Sequence, residues 1–180
     1  MTLNNPHFHV ITGASGAGKS TLLATLRDLG YSTVPEAGRA VLREQQEVQG
    51  GLSPSVDRAA FMQAVLARGL EDYQAARSLR PPVFFDRGVP EWLRLVDADV
   101  ASIHGSAVDC RYADTVFVAE PWPEIYVADQ ERRASFERAA RSYEPTVSAY
   151  VAMGYGTCVI PRVSVRERVA FILASLEAAV

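Results

Sequence analysis

Lysine is almost missing from this chain of 180 residues. Seventeen arginines are accompanied by a single lysine, Lys19. Whatever bias removed lysine elsewhere, one position kept it. Cysteine is also scarce. Cys110 and Cys158 form no C-x-x-C pair, so they read as two reduced, structural thiols of a cytosolic protein rather than a disulfide framework. The three histidines, His7, His9 and His104, are scattered without a carboxylate or thiol partner nearby, which argues against a metal set built on them. Apolar runs are interrupted every few residues, so no segment is expected to span a bilayer. The stretch Met1 to His9 lacks the basic and apolar regions of a signal peptide. The net charge of -3 leaves no basic surplus for a nucleic acid backbone and no acidic tail.

What remains is an ordinary globule. The hydrophobic fraction is 48% and the charged fraction 22%, values that support a real core. The length predicts one domain over 1–180. Short apolar runs alternate with amphipathic stretches. Strands are expected at His7 to Thr12, Tyr31 to Pro35, Val83 to Asp86, Thr115 to Ala119 and Thr157 to Ile160. Helices are expected at Lys19 to Leu29 and Glu36 to Gln49. A long one runs to about Leu79, entered through Ser53-Pro54, with Phe61, Val65, Leu66 and Leu70 inward. Shorter ones cover Pro90 to Val96 and part of Ala101 to Arg111, then Asp129 to Arg141, Glu144 to Met153 and Val165 to Leu176. The alternation predicts an α/β fold: a parallel sheet covered by helices on both faces.

Gly13-Ala14-Ser15-Gly16-Ala17-Gly18-Lys19-Ser20-Thr21 matches G-x-x-x-x-G-K-[ST] in full, between an apolar strand and an amphipathic helix. From average composition such a match arises by chance less than about once in a hundred chains of this size. The glycines let the backbone curl so that successive N–H groups face one anion, and the helix that starts there adds its positive end. Lys19 is expected to be exposed and to reach the β- and γ-phosphates. The Ser20 hydroxyl is expected on Mg²⁺. A dinucleotide-binding G-x-G-x-x-G would need glycine where Thr21 stands.

In a parallel open sheet, ligands sit beyond the carboxyl ends of the strands. Asp86-Arg87 follows the third strand. Asp86 is a candidate Mg²⁺ ligand, and Arg87 stands where motor-type ATPases carry a water-activating glutamate, which favours transfer to an acceptor over hydrolysis. After the second strand, Glu36 is a candidate general base, with Arg39 three residues on to orient it or bind the acceptor. Glu36 and Asp86 both remain candidates for the base. Segment 120–142 reads as a lid, in which Arg132 and Arg133 are placed to close over phosphates while Arg138 and Arg141 suit a solvated face. Pro161 and Arg162, after the fifth strand, are candidates for packing on the nucleotide base. The guanine-reading N-K-x-D element is absent, which favours ATP over GTP.

On these residues the chain resembles the P-loop kinase superfamily, and more narrowly a bacterial predicted-ATPase family related to the ribosylnicotinamide kinase domain. TGASGAGKST, VPEAGRAVLREQ, FFDRG, DQERRASFERA and AYVAMGYGTCVIPRVSVRERVAFIL carry the resemblance over nearly the whole length. It implies a P-loop NTPase fold, three layers α/β/α, with a five-stranded sheet in spatial order 2-3-1-4-5 and a helical lid after the fourth strand. It implies ATP and Mg²⁺ bound through Gly13 to Thr21 with help from Asp86, and an acceptor held by the helices between strands two and three. The expected activity is phosphoryl transfer from ATP to a nucleoside, nucleotide or other metabolite, with an acceptor pocket near Glu36, Arg39, Arg87, Gln63 and Arg68. A nucleotide-dependent regulatory switch without a small-molecule acceptor is the alternative, and a nucleic-acid-processing kinase the third reading. The chain is expected to act in the cytoplasm as a monomer or homodimer.

Overall fold

The computed structural model describes residues 3–46, 51–96, 109–126 and 135–178. In chain order the elements are β1 (Leu3–Asn4), β2 (Phe8–Gly13), α1 (Lys19–Asp28), β3 (Ser32–Val34), α2 (Ala37–Gln46) and α3 (Arg58–Ala76). Then come β4 (Val83–Asp86), α4 (Val89–Leu93), β5 (Cys110–Arg111), β6 (Thr115–Ala119) and a 3₁₀ turn at Pro123–Ile125. The chain finishes with α5 (Phe136–Arg141), α6 (Tyr143–Ala152), β7 (Gly156–Val159) and α7 (Val165–Glu177).

The main sheet is parallel throughout and ordered β3-β4-β2-β6-β7. Counting only its own five strands, that is the expected order 2-3-1-4-5. β1 and β5 were not expected as strands. They pair in parallel as a separate two-stranded sheet, so Cys110–Arg111 is extended rather than helical.

Strand periodicity divides the core in two. Phe8 and Val10 of β2, Val83 and Phe85 of β4, and Val116 and Val118 of β6 face one side. There they meet Val41 of α2, Phe61, Val65 and Leu66 of α3, Trp92 of α4 and Tyr150 of α6. Ile11, Phe84 and Phe117 face the other side, against Leu22, Leu23 and Leu26 of α1 and Val169 and Ile172 of α7. Each such side chain contributes roughly 1.5–3 kcal/mol on burial, which fixes the strand register. The two cysteines form no disulfide, and burial first, then Asp109, pushes the buried Cys110 thiol up to about 11, as suits an inert core residue.

Helix boundaries correct some expectations. α3 does not begin at Ser53-Pro54, which lies in a turn. It begins after Asp57, whose carboxylate accepts from the Ala60 N–H at 3.0 Å and caps the first turn. Likewise α5 begins after Ser135, which caps it by accepting from the Arg138 N–H. Residues 127–134 of the expected lid, with Arg132 and Arg133, lie outside the described residues, as does His104. Arg138 and Arg141 are exposed on α5. Among the described residues, no helix is long and apolar enough to cross a membrane.

Candidate functional site

The site forms where β2, β3 and β4 end. β2 stops at Gly13, whose φ of 119° no L side chain adopts readily. A Cβ there would also sit 2.0 Å from the Ala119 carbonyl oxygen of β6. Glycine thus lets the loop leave β2 pressed against β6, and Ala14 donates its N–H to that same oxygen at 2.9 Å. Gly16 and Gly18 also carry positive φ, 78° and 79°, and so complete the curl. α1 then starts at Lys19 with no side-chain cap, which leaves the N–H groups of its first turn directed at the loop interior.

Lys19 was expected to be exposed, but it is only 6% exposed. Its Nζ donates to the Ala14 carbonyl at 2.7 Å and to the Gly13 carbonyl at 3.4 Å, so the ammonium is folded back onto its own loop. Burial first, and Arg87 second, bring its pKa down to about 7, against the pull of Asp86, Glu36 and Glu91. An anion entering the loop would offer this desolvated cation a far better partner than two carbonyls.

Ser20 Oγ donates to Asp86 Oδ2 at 3.3 Å. Asp86 is 5% exposed, and its second oxygen, Oδ1, is buried without a hydrogen-bond partner. Burial, then Glu36, raises its pKa. A buried carboxylate oxygen lacking a donor, next to a serine hydroxyl, is a donor set that suits a hard divalent cation completing its shell with water and phosphate oxygens.

Arg87 has the left-handed φ of 67°. Its guanidinium bridges two carboxylates: Nη1 lies 2.6 Å from Glu91 Oε2, and Nε lies 3.4 Å from Glu36 Oε1. Burial pulls its pKa down, but Glu91, Glu36 and Asp86 together more than offset that and raise it. Arg39 takes the other Glu36 oxygen at 3.2 Å, as the i, i+3 spacing predicts.

Two cavities meet at these residues. One of about 200 Å³ is a cradle formed by the glycine-rich loop, lined by Gly16, Gly18, Lys19 and Ser20 with Glu36 and Arg87 opposite. The other, about 260 Å³, is walled by Leu42, Phe61, Met62, Val65, Trp92 and Leu95. Ser15, Glu36 and Arg39 line both. α3 lines this second cavity, as the expected acceptor pocket near Gln63 and Arg68 would require, but through other residues. Gln63 is exposed, and Arg68 is occupied by Asp72 at 2.9 Å and by Glu44. Phe61, Met62 and Val65 line the pocket instead.

A third cavity, about 480 Å³, lies beside Gly18 and Thr21 between Trp122, Ile125 and residues 162–165. Of the two residues expected to pack on a nucleotide base, Arg162 lines this cavity, with its guanidinium 3.4 Å from Glu120, whereas Pro161 is not part of the lining. Arg168, which the sequence did not single out from Arg166, is 3% exposed there. It donates to the Ala17 carbonyl at 3.1 Å, stands 5.5 Å from the Trp122 ring, and leaves its Nε without a partner.

A family model described as an AAA domain matches residues 8–168. The chain belongs to this AAA domain family. A "nucleotide-binding protein" of Salinispora arenicola (strain CNS-205) is 30% identical over 92 residues, which are 50% of this chain and 30% of that protein, so the chain spans under a third of this relative's length. Among solved structures, NadR in complex with NR aligns with a TM-score of 0.70 at 13% identity, over 96% of this chain and 52% of that one. Deoxyadenosine kinase from M. mycoides, with dCMP and a flexible dCDP, aligns with a TM-score of 0.58 at 18% identity, over 96% of this chain and 100% of that one. These likenesses show that this AAA domain protein has the P-loop kinase fold, five parallel strands with flanking helices.

Proposed function

We propose that this protein binds Mg²⁺-ATP on the loop Gly13 to Thr21 and transfers the γ-phosphoryl group to a hydroxyl of a small molecule held against Trp92. The observation that carries this reading is the junction of two cavities at one carboxylate. Glu36 lines both the phosphate cradle and the apolar pocket, so a molecule in the second would present its hydroxyl to Glu36 and to the cradle together. The relatives that bind nucleotides or are kinases support it.

In this reading Lys19 leaves the Gly13 and Ala14 carbonyls to contact the β- and γ-phosphates. Ser20 and Asp86 would hold Mg²⁺, which when bound would supply positive charge to neutralise the phosphate oxygens. Asp86 is thereby assigned to the metal and Glu36 to the acceptor proton, because Asp86 lies under Ser20 while Glu36 faces the pocket. Arg87 and Arg39 orient Glu36 and place positive charge beside the transferring group. The cavity at Trp122, Arg162 and Arg168 receives the adenine ring. Arg132 and Arg133 would add positive charge beside the phosphates. The protein acts in the cytoplasm.

A melting experiment tests the two-cavity reading. Mg²⁺-bound, non-hydrolysable ATP should raise the melting temperature. A nucleoside or similarly sized metabolite should raise it further in the wild type but not in Trp92→Ala. A panel in which no small molecule adds to the nucleotide shift would contradict the acceptor pocket.

A further inference from the structure

We infer that Glu91 is a positioning residue of the transfer site: through a buried clamp with Thr12 and Tyr150 it fixes the Arg87 guanidinium toward Glu36. The inference rests on the proposed transfer reaction, since it assigns Arg87 a place beside the transferring group.

Glu91 is 2% exposed and lines neither the phosphate cradle nor the Trp92 pocket, so it touches no substrate. All of its charge is directed at neighbours. Oε2 accepts from Arg87 Nη1 at 2.6 Å. Oε1 accepts from the Thr12 hydroxyl, in a short hydrogen bond, and from the Tyr150 hydroxyl at 2.7 Å. Tyr150 in turn accepts the Gly88 N–H at 2.9 Å. One carboxylate thus ties together the end of β2, the first turn of α4, the bend after β4, and α6.

The bend itself is held from three sides. Arg87 donates its N–H to the Ile11 carbonyl at 3.0 Å, Gly88 to Tyr150, and Val89 to the Tyr112 hydroxyl at 3.2 Å. Such support is needed because φ of 67° at a non-glycine residue is unfavourable. A buried carboxylate–guanidinium pair is likewise a poor source of stability, since both ions lose their water. Two costs therefore converge on one residue, Arg87, 11% exposed at its side chain and 3.4 Å from the proposed base. What the arrangement supplies is a guanidinium with one orientation. Nη1 is spent on Glu91, and Nε is thereby aimed at Glu36 and the cradle.

Two readouts separate this inference from the transfer reading. The first needs no acceptor: the Nε–H resonance of Arg87, assigned by its loss in Arg87→Lys, should exchange slowly with water in the wild type and rapidly in Glu91→Gln. The second uses γ-labelled ATP and whichever nucleoside the wild type phosphorylates. Glu91→Gln should lower kcat about tenfold to a hundredfold, as expected when a reacting group is misplaced by about 1 Å. The KM for ATP and the melting shift with Mg²⁺-ATP should stay within about twofold of wild type. Tyr150→Phe keeps the Glu91–Arg87 pair and removes one anchor, so it should fall between the two and serves if Glu91→Gln does not fold. Slow exchange that survives in Glu91→Gln, an unchanged kcat, or a kcat loss matched by an equal loss of nucleotide binding would overturn the positioning role. A wild type that phosphorylates nothing while Arg87 is still released in Glu91→Gln would instead overturn the transfer reading and leave the clamp standing.

Discussion

Gly13→Ala offers a test whose size can be worked from the backbone alone. The added Cβ would lie 2.0 Å from the Ala119 oxygen, 2.7 Å from its nitrogen and 2.8 Å from its carbonyl carbon. All three are backbone atoms of a β6 residue that is fully buried, so no flexible side chain can yield. Relief requires β2 and β6 to separate at their paired ends, which breaks the Ala14 N–H bond to Ala119 and leaves buried groups unsatisfied, at about 1–3 kcal/mol. Holding alanine at φ 119° costs a further 1–3 kcal/mol or so. The sum is about 2–6 kcal/mol, which for a chain of this length is a fall of roughly 10 °C in melting temperature. Gly30→Ala is the control. Its φ is 92°, but nothing lies within 4 Å of the added Cβ. Only the backbone contribution remains, partly offset by the stiffer unfolded chain, for a net loss of about 1 kcal/mol. Urea unfolding followed by circular dichroism compares the two. Equal losses would refute the close approach of β2 to β6. The Gly13 variant should also lose its melting shift with Mg²⁺-ATP, which the Gly30 variant keeps.

Lys19→Met removes a desolvated ammonium and keeps its stem. The nucleotide-free protein should melt at or above the wild-type temperature while the Mg²⁺-ATP shift disappears, and a full shift would contradict the phosphate-loop reading. Glu36→Gln should slow transfer by about a hundredfold or more with nucleotide affinity nearly unchanged. Parallel losses would make Glu36 a structural partner of its two arginines. His9, beside Phe84 at a ring distance of 5.7 Å, gives a pH test. Burial, then His7, lowers its pKa from 6.5 to about 4. The unfolded chain therefore binds more protons between those values, and stability falls as pH drops through that window. Because the ring keeps some solvent contact, the loss is about 1–2 kcal/mol. His9→Phe should flatten that part of the stability profile, and superimposable profiles would show that His9 is not the group responsible.

The glycine-rich loop between β2 and α1 was legible in the sequence because its pattern sits in nine consecutive residues. The sheet order was legible through resemblance, and the strands through their apolar runs. That Glu36, Arg39 and Asp86 lie close to the glycine-rich loop could be anticipated, because they follow strands whose carboxyl ends share one edge of a parallel sheet. Glu91 was not. Its partners Thr12 and Tyr150 lie 79 and 59 residues away, and only the fold brings them together. The i, i+4 spacing of Arg87, in the bend before α4, and Glu91, within α4, was the one local sign. The burial of Lys19 was missed because motif spacing says where a lysine points with phosphate present, not where it rests alone. Along α3 the cavity-lining face was misplaced, since Gln63 and Met62 are adjacent in sequence but point to different sides of the helix. Its start was misplaced because Ser53 and Asp57 are both good caps, and only the Asp57 bond to Ala60 decides between them.

The most direct test of the central claim is to follow γ-labelled ATP with Mg²⁺ across a panel of nucleosides, nucleotides and small hydroxyl-bearing metabolites. The account predicts that one class of acceptor accelerates nucleotide consumption and leaves the reaction carrying the label. Label that emerges only as inorganic phosphate, at a rate no acceptor changes, would contradict it.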